Sequence, residues 1–125
     1  MKAIRIEEVG YTPGVVLDAR KGIFEITGKA CPEDAIEFYQ PIIDWLEAYK
    51  QEPNKETIFE FKLSYYNTAS SKVLLNIMQR LEDIRKTGAD VKIKWFYYED
   101  DEELQNAGED FAEMIKVPFE LIEME

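Results

Sequence analysis

Two segments of the chain alternate apolar and polar residues and predict β-strands that are buried on one side only. In the first, Phe59, Phe61, Leu63 and Tyr65 alternate with Glu60, Lys62 and Ser64, and in the second Val91, Ile93, Trp95 and Tyr97 alternate with Lys92, Lys94 and Phe96. A period of two residues places the apolar side chains of a strand on one face of the sheet. We therefore expect helices to cover only that face.

Three other segments carry apolar residues at the spacing of amphipathic helices. The first helix is expected to open at Pro32-Glu33-Asp34, because proline favours the first helical position and acids favour the positive end of the helix dipole. Pro41 predicts a kink or a broken turn inside this helix. The second helix is predicted from about Thr68 to Lys86, with Gly88 as its C-cap. A third begins in the acid run Glu99–Glu103.

The remaining apolar segments predict shorter strands. They are Ala3–Ile6, Val15–Ala19, Ile23–Thr27 and Phe119–Ile122, with Gly28 to Cys31 as a connector. Strands therefore come first and helix–strand units follow. This order predicts one two-layer α/β domain over residues 1–125, with a mixed sheet of about six strands and three helices on one face.

The charge balance narrows the classes of partner. The 125 residues include 26 acids and 15 bases, which gives a net charge of −11. Such a chain is repelled by nucleic acid and by anionic membrane surfaces, so we expect a protein with basic surfaces as its partner. No apolar run is long enough for a membrane span, the N-terminus does not resemble a signal peptide, and the single cysteine, Cys31, fits a reducing cytoplasm.

The absence of histidine weakens the case for an enzyme, because it removes the commonest general base and imidazole metal sites. A site for a divalent metal built from Glu99, Asp100 and Asp101 stays open as an alternative. This run lacks the spacing and the glycine of a calcium loop, however, and acids at a helix start are favoured by the helix dipole alone. We expect neither a metal nor a cofactor.

The segment Tyr65–Lys72 joins the first alternating strand to the second helix and holds the main candidate site. Asn67 or Thr68 is the expected N-cap. Free backbone N–H groups and the helix dipole favour an anion at such a helix start, and a phosphate on the protein's own hydroxyl would supply one. Thr68, Ser70 and Ser71 are candidate hydroxyls, and Lys72 could pair with the phosphate. The alternative is a cap and nothing more.

Several short motifs recur in a fixed order along nearly the whole chain. They are Tyr11-Thr12-Pro13, Pro32-Glu33-Asp34-Ala35, Phe38-Tyr39, Pro41-Ile42, Trp45-Leu46, Pro53-Asn54, Tyr66-Asn67-Thr68, Ser70-Ser71-Lys72, Trp95-Phe96-Tyr97, Glu99-Asp100-Asp101-Glu102, Gly108-Glu109-Asp110-Phe111 and Pro118-Phe119-Glu120. In these motifs the sequence resembles the SiaC family of bacterial regulatory phosphoproteins. Many motifs in one order are more specific than a single short pattern.

The resemblance implies a fold like that of STAS domains and a role as a non-enzymatic switch between partners. It implies that a serine/threonine kinase phosphorylates Thr68 and that a metal-dependent phosphatase removes the phosphate. It further implies that the unphosphorylated form binds a diguanylate cyclase and raises its cyclic-di-GMP output. A constitutive interaction scaffold, with Thr68 as an unused cap, is the alternative function.

Further contact residues are expected around this site. Phe96 and Tyr98 lie on the polar side of their predicted strand and could be exposed to a partner. Tyr66 adjoins the proposed cap, and Asp100 and Asp101 belong to the acid run that could contact a basic partner. Trp45, Trp95 and Tyr97 are expected in the core from their spacing.

Overall fold

In the computed structural model, which describes all 125 residues, six strands form one sheet whose spatial order follows the sequence. The strands are β1 (Ile4–Ile6), β2 (Gly14–Asp18), β3 (Ile23–Ala30), β4 (Glu56–Tyr66), β5 (Asp90–Tyr98) and β6 (Phe119–Met124); the helices are α1 (Ala35–Tyr49), α2 (Thr68–Lys86) and α3 (Glu102–Met114). The pairs β1–β2 and β2–β3 are antiparallel, and the other three pairs are parallel. The expected mixed sheet and the expected helices are thus confirmed.

All three helices pack on one face of this sheet. Phe24, Phe59 and Ile93 are neighbours across β3, β4 and β5 and are buried on the helix side. The Trp45 ring of α1 meets Phe24, and the Phe111 ring of α3 meets the indole of Trp95. The other face carries charged, half-buried side chains, among them Glu25, Glu60, Lys62 and Lys94. The expectation of a sheet with one uncovered face is confirmed, and Trp45, Trp95 and Tyr97 are core residues.

The start and the interior of α1 differ from the expectation. Asp34 is the N-cap, and its carboxylate accepts a hydrogen bond from the Glu37 N–H at 3.1 Å. Pro32 is buried ahead of the helix and is not its first residue, so that prediction was wrong. The predicted break at Pro41 was also wrong, because α1 is continuous. Pro41 and Glu37 are both exposed, so water can satisfy the Glu37 carbonyl that proline leaves without a donor.

The residues expected to form a connector instead extend β3, which pairs with β4 as far as Ala30 opposite Tyr66. This longer pairing contains a bulge. Gly28 lies opposite Leu63 and Lys29 opposite Tyr65, so that Ser64 is one extra residue in β4. The bulge reverses the alternation beyond it. Tyr65 is 54% exposed instead of buried with Leu63, and Tyr66 takes its place on the core side.

The ends of the other two helices agree with the sequence pattern to within a turn. Gly88, with φ of 106°, follows the C-cap Thr87 of α2. Helix α3 begins at Glu102 and not at Glu99, because the Asp101 carboxylate caps it by accepting a hydrogen bond from the Leu104 N–H at 3.0 Å. None of the three helices combines the length and the apolar character that a membrane crossing requires.

Candidate functional site

Three helix N-termini gather at one edge of the sheet. Strands β3, β4 and β5 are parallel, so their carboxyl ends meet at the same edge, and each is followed directly by a helix. Each helix start carries a partial positive charge and backbone N–H groups that have no acceptor within the helix. The start of α2 lies in the middle of the three, because β4 is the middle strand of this parallel set.

A cleft of about 340 Å³ separates the N-termini of α2 and α3. Its nine lining residues are Ser64, Tyr65, Tyr66, Asn67, Thr68, Ser71, Asp101, Glu103 and Leu104. The fold therefore brings together five of the predicted site residues, four from the end of β4 and the start of α2 and one, Asp101, from the start of α3. Ser70, Lys72, Phe96, Tyr98 and Asp100 do not line the cleft.

Asn67 is the N-cap of α2, and Thr68 is its first helical residue. The Asn67 side-chain oxygen accepts a hydrogen bond from the Ser70 N–H at 2.9 Å, and its backbone oxygen accepts one from the Ser71 N–H at 3.0 Å. The N–H groups of Thr68 and Ala69 have no acceptor within the helix. Thr68 is exposed, so its hydroxyl is accessible beside these free donors.

Ser70 has a structural role that the sequence did not indicate. Its side chain is fully buried, and the Tyr39 hydroxyl donates a hydrogen bond to its Oγ at 3.3 Å. Burial raises the pKa of the Tyr39 hydroxyl, which keeps the hydroxyl protonated as the donor. The expectation that Ser70 contacts a partner is therefore wrong for its side chain, because a hydroxyl with no exposed surface cannot reach one.

The walls of the cleft are acidic. Asp101 and Glu103 face the start of α2 across the cleft, and no lysine or arginine is among the lining residues. Burial raises the pKa of the Tyr66 hydroxyl, and the negative charges of Asp110 and Glu103 raise it further. Lys72 is exposed one helical turn beyond Thr68 but lies outside the cleft. A phosphate on Thr68 would therefore meet helix N–H donors on one side and two carboxylates on the other.

Helix α2 differs from its neighbours in the charge of its first turn. The first turn of α1 contains Glu37 and that of α3 contains Glu102 and Glu103, whereas α2 has no acid there. An acid in the first turn stabilises a helix through the dipole. A phosphate on Thr68 would supply that missing charge, so the start of α2 can hold an anion without a change of fold.

The other predicted contact residues lie outside the cleft on two neighbouring surfaces. Phe96 is half-buried on the uncovered face of the sheet, with the Lys62 ammonium 5.3 Å from its ring centroid. Tyr98 is 45% exposed at the end of β5, and Asp100 is exposed in the turn that follows. No three acidic or cysteine side chains approach one another closely enough to hold a metal ion.

The sequence reasoning missed four lining residues, Ser64, Tyr65, Glu103 and Leu104. One signal was available for Glu103, because helix starts that follow adjacent parallel strands are neighbours in space. No comparable signal exists for Tyr65, since its exposure depends on the bulge at Ser64.

Comparison with known proteins places the chain among relatives of similar length. The sequence profile of the family described as SiaC family regulatory phosphoprotein matches residues 6–124. An uncharacterised protein of Pseudomonas aeruginosa strain UCBPP-PA14 is 28% identical over 119 residues, which are 95% of this chain and 94% of that protein.

Two solved structures from Pseudomonas aeruginosa share the fold. SiaC is 27% identical with a TM-score of 0.89 over 99% of this chain and 100% of that one. SiaC in complex with the diguanylate cyclase SiaD, of which it is the activator, is 25% identical with a TM-score of 0.87 over 97% of this chain and 99% of that one. From the family profile and this agreement in fold, we conclude that the chain belongs to the SiaC family of regulatory phosphoproteins.

Proposed function

We propose that this chain is a non-enzymatic signalling protein whose binding to an effector is controlled by phosphorylation of Thr68. A serine/threonine kinase adds the phosphate, a metal-dependent serine/threonine phosphatase removes it, and the effector binds the unphosphorylated form. The observation that carries the proposal is the position of Thr68, which is exposed as the first residue of α2 in an acidic cleft. The description of the family as regulatory phosphoproteins supports a modified hydroxyl.

Thr68 is the best placed of the three candidate hydroxyls. Ser70 is buried under Tyr39, and the hydroxyl of Ser71 is on a half-buried residue deeper in the cleft. Thr68 is exposed and also adjoins the two helix N–H groups that have no acceptor within the helix. A kinase could therefore reach its hydroxyl without unfolding α2, and the product phosphate would find donors in place.

The charge of the phosphate explains how binding would change. Phosphorylation adds about −1.5 to −2 charges at pH 7. The Asp101 and Glu103 carboxylates already line the same cleft, so the modified cleft becomes a concentrated negative site. A partner that covers the cleft would have to bury this charge, which costs several kcal/mol unless a cation is matched to it. A loss of about 2.7 kcal/mol weakens binding about a hundredfold.

A diguanylate cyclase is the effector that the relatives favour. SiaC of Pseudomonas aeruginosa forms a complex with the diguanylate cyclase SiaD as its activator, and this chain matches that SiaC over nearly its whole length with the same fold. We infer that the effector here is also a diguanylate cyclase and that the bare Thr68 form raises its cyclic-di-GMP output.

The test combines intact-mass measurement with a binding assay. The chain and two variants, Thr68→Ala and Ser71→Ala, are incubated with ATP and the cognate kinase, and the mass is measured. We expect one added phosphate on the wild type and on Ser71→Ala, and none on Thr68→Ala. Ser71→Ala is the matched control because it removes a hydroxyl from the same turn and the same cleft.

The phosphorylated and bare proteins are then titrated with the SiaD-type cyclase of the same organism by calorimetry. We expect at least a hundredfold weaker binding of the phosphorylated protein, and recovery after treatment with the phosphatase. Stoichiometric phosphorylation of Thr68→Ala would show that the site is wrong. Equal affinity of the two forms would instead favour the constitutive scaffold.

A further inference from the structure

The uncovered face of the sheet is divided into two chemically different halves. In the half nearer the amino ends of β4 and β5, lysines and glutamates neutralise each other. The Lys62 ammonium lies 3.5 Å from the Glu25 carboxylate and 3.7 Å from that of Glu60, and the Lys92 ammonium lies 2.8 Å from the Glu120 carboxylate. Charges that are paired in this way make the half self-sufficient, and it needs no partner to cover it.

The half nearer the carboxyl ends is aromatic and aliphatic. Phe96 lies opposite Ile122 and Tyr98 opposite Met124 in the pairing of β5 with β6, so these four side chains share the uncovered face. Tyr65, which the bulge in β4 turns outward, is 54% exposed, and Tyr98 is 45% exposed. We name Tyr65, Phe96, Tyr98, Ile122 and Met124 the aromatic strip. Exposed tyrosine, phenylalanine and methionine are typical of protein interfaces.

The aromatic strip is continuous with the Thr68 cleft. Tyr65 belongs to both surfaces, because its side chain is on the uncovered face and it also lines the cleft two residues after Leu63 and three before Thr68. A partner that covers Tyr65 therefore lies against the site where the phosphate would be added.

The border of the strip is acidic. Glu99, Asp100 and Glu125 surround a shallow depression beside Tyr98, and Asp101 and Glu103 lie in the adjoining cleft. A second copy of this chain would bring the same acids and another net charge of −11 to this border, so repulsion opposes self-association through the strip. A partner with cations beside an apolar surface is complementary to it.

From these observations we propose that the aromatic strip is the docking surface of the effector and that it takes an amphipathic helix with lysine or arginine along the sides of its apolar stripe. A sheet face accepts a helix in the same way as the covered face accepts α1 and α2. This inference rests on the proposed function for the identity of the effector. It adds that affinity comes from the strip, whereas Thr68 controls only the neighbouring cleft.

The test measures the dissociation constant of the SiaD-type cyclase for single variants. Tyr98→Ala and Tyr65→Ala should each weaken binding about tenfold or more, because buried aromatic anchors dominate interface energies. Ile23→Ala is the matched control, since Ile23 is 38% exposed at the opposite end of β3, and it should bind as the wild type does. Asp100→Lys should weaken binding, and the wild-type affinity should fall as ionic strength rises.

Hydroxyl-radical footprinting of the wild-type complex makes the test independent of variant folding. Tyr65 and Tyr98 should be protected from oxidation, whereas Ile36, which is 76% exposed on α1, should not. Unchanged affinity of both tyrosine variants, unprotected tyrosines, or Tyr98-dependent self-association would each overturn the docking surface. If the tyrosine variants lose the cyclase but phosphorylation does not release it, the strip stands and the Thr68 switch is wrong. The reverse pair of results refutes the strip alone.

Discussion

Tyr39 and Ser70 join α1 to the first turn of α2 through a hydrogen bond of 3.3 Å between two hydroxyls that have no exposed surface. Ser70 also donates its N–H to the cap Asn67 at 2.9 Å. The position of Thr68 therefore depends on a contact from another helix as well as on its own cap. This contact fixes the exposed threonine relative to the rest of the domain.

Removal of either hydroxyl should destabilise the protein and loosen the start of α2. Tyr39→Phe and Ser70→Ala each leave a buried polar partner unsatisfied, so we expect each to lower the free energy of unfolding by about 1–3 kcal/mol. The double variant should lose less than the sum of the two, because the second change removes the group that the first left unpaired. Urea denaturation of the four proteins measures this coupling, and strictly additive losses would contradict it.

The cap of α2 should be measurable by a single substitution. Asn67→Ala removes the side-chain oxygen that accepts the Ser70 N–H, and the loss of such a cap costs about 1 kcal/mol. We expect this fall in the free energy of unfolding, together with faster amide exchange in the first turn. Gln79→Ala, an exposed change inside the same helix, is the control. If the two variants are equally stable, Asn67 is not the cap that it appears in the coordinates to be.

Gly108 permits close packing of α3 against the sheet. A Cβ at this position would lie 2.5 Å from the Trp95 Cδ1 and 3.0 Å from the Leu121 Cδ2. Because the Trp95 indole is fully buried and donates a hydrogen bond to the Leu104 carbonyl at 2.9 Å, it cannot easily move.

We therefore expect Gly108→Ala to lower stability by about 1–3 kcal/mol, although alanine has the better helix propensity by about 1 kcal/mol. Thermal unfolding measures the change. Asn106→Ala, on an exposed position of the same helix, should be neutral or stabilising. A Gly108→Ala protein as stable as that control would show that α3 can shift away without cost.

Acid should weaken the fold partly through Asp18. The Lys21 N–H donates to one carboxylate oxygen of Asp18 at 3.0 Å, and the Arg5 guanidinium pairs with the other. These contacts hold the pKa of Asp18 below its ordinary value, with the Lys21 hydrogen bond as the largest cause. A carboxyl whose pKa is lower in the folded state adds stability above its unfolded pKa, and this stability is lost as the pH falls through the folded pKa.

The unfolding free energy of the wild type should therefore decrease below about pH 4, and part of that decrease should be missing in Asp18→Asn. Denaturation curves at a series of pH values measure the difference. Asp90→Asn, on an exposed aspartate without an ion pair, should retain the slope of the wild type. An identical pH dependence of the Asp18→Asn and wild-type proteins would contradict the assignment.

The local pattern was sufficient to determine the elements and the layer arrangement. The alternation around Phe59 and Ile93 predicted strands with one covered face, and the apolar spacing predicted α2 from Thr68 to Lys86, as observed. The candidate threonine followed from the same segment and the resemblance. These features depend on backbone periods and caps, which involve residues only a few positions apart.

The tertiary structure decided which side chains of this segment are accessible. Pairing with β3 created the bulge at Ser64 that turned Tyr65 outward, and packing of Tyr39 buried Ser70. Parallel pairing with β5 set Asp101 beside Thr68. Each of these outcomes depends on a contact with a residue far away in the sequence, and a periodic pattern carries no information on the register of such contacts.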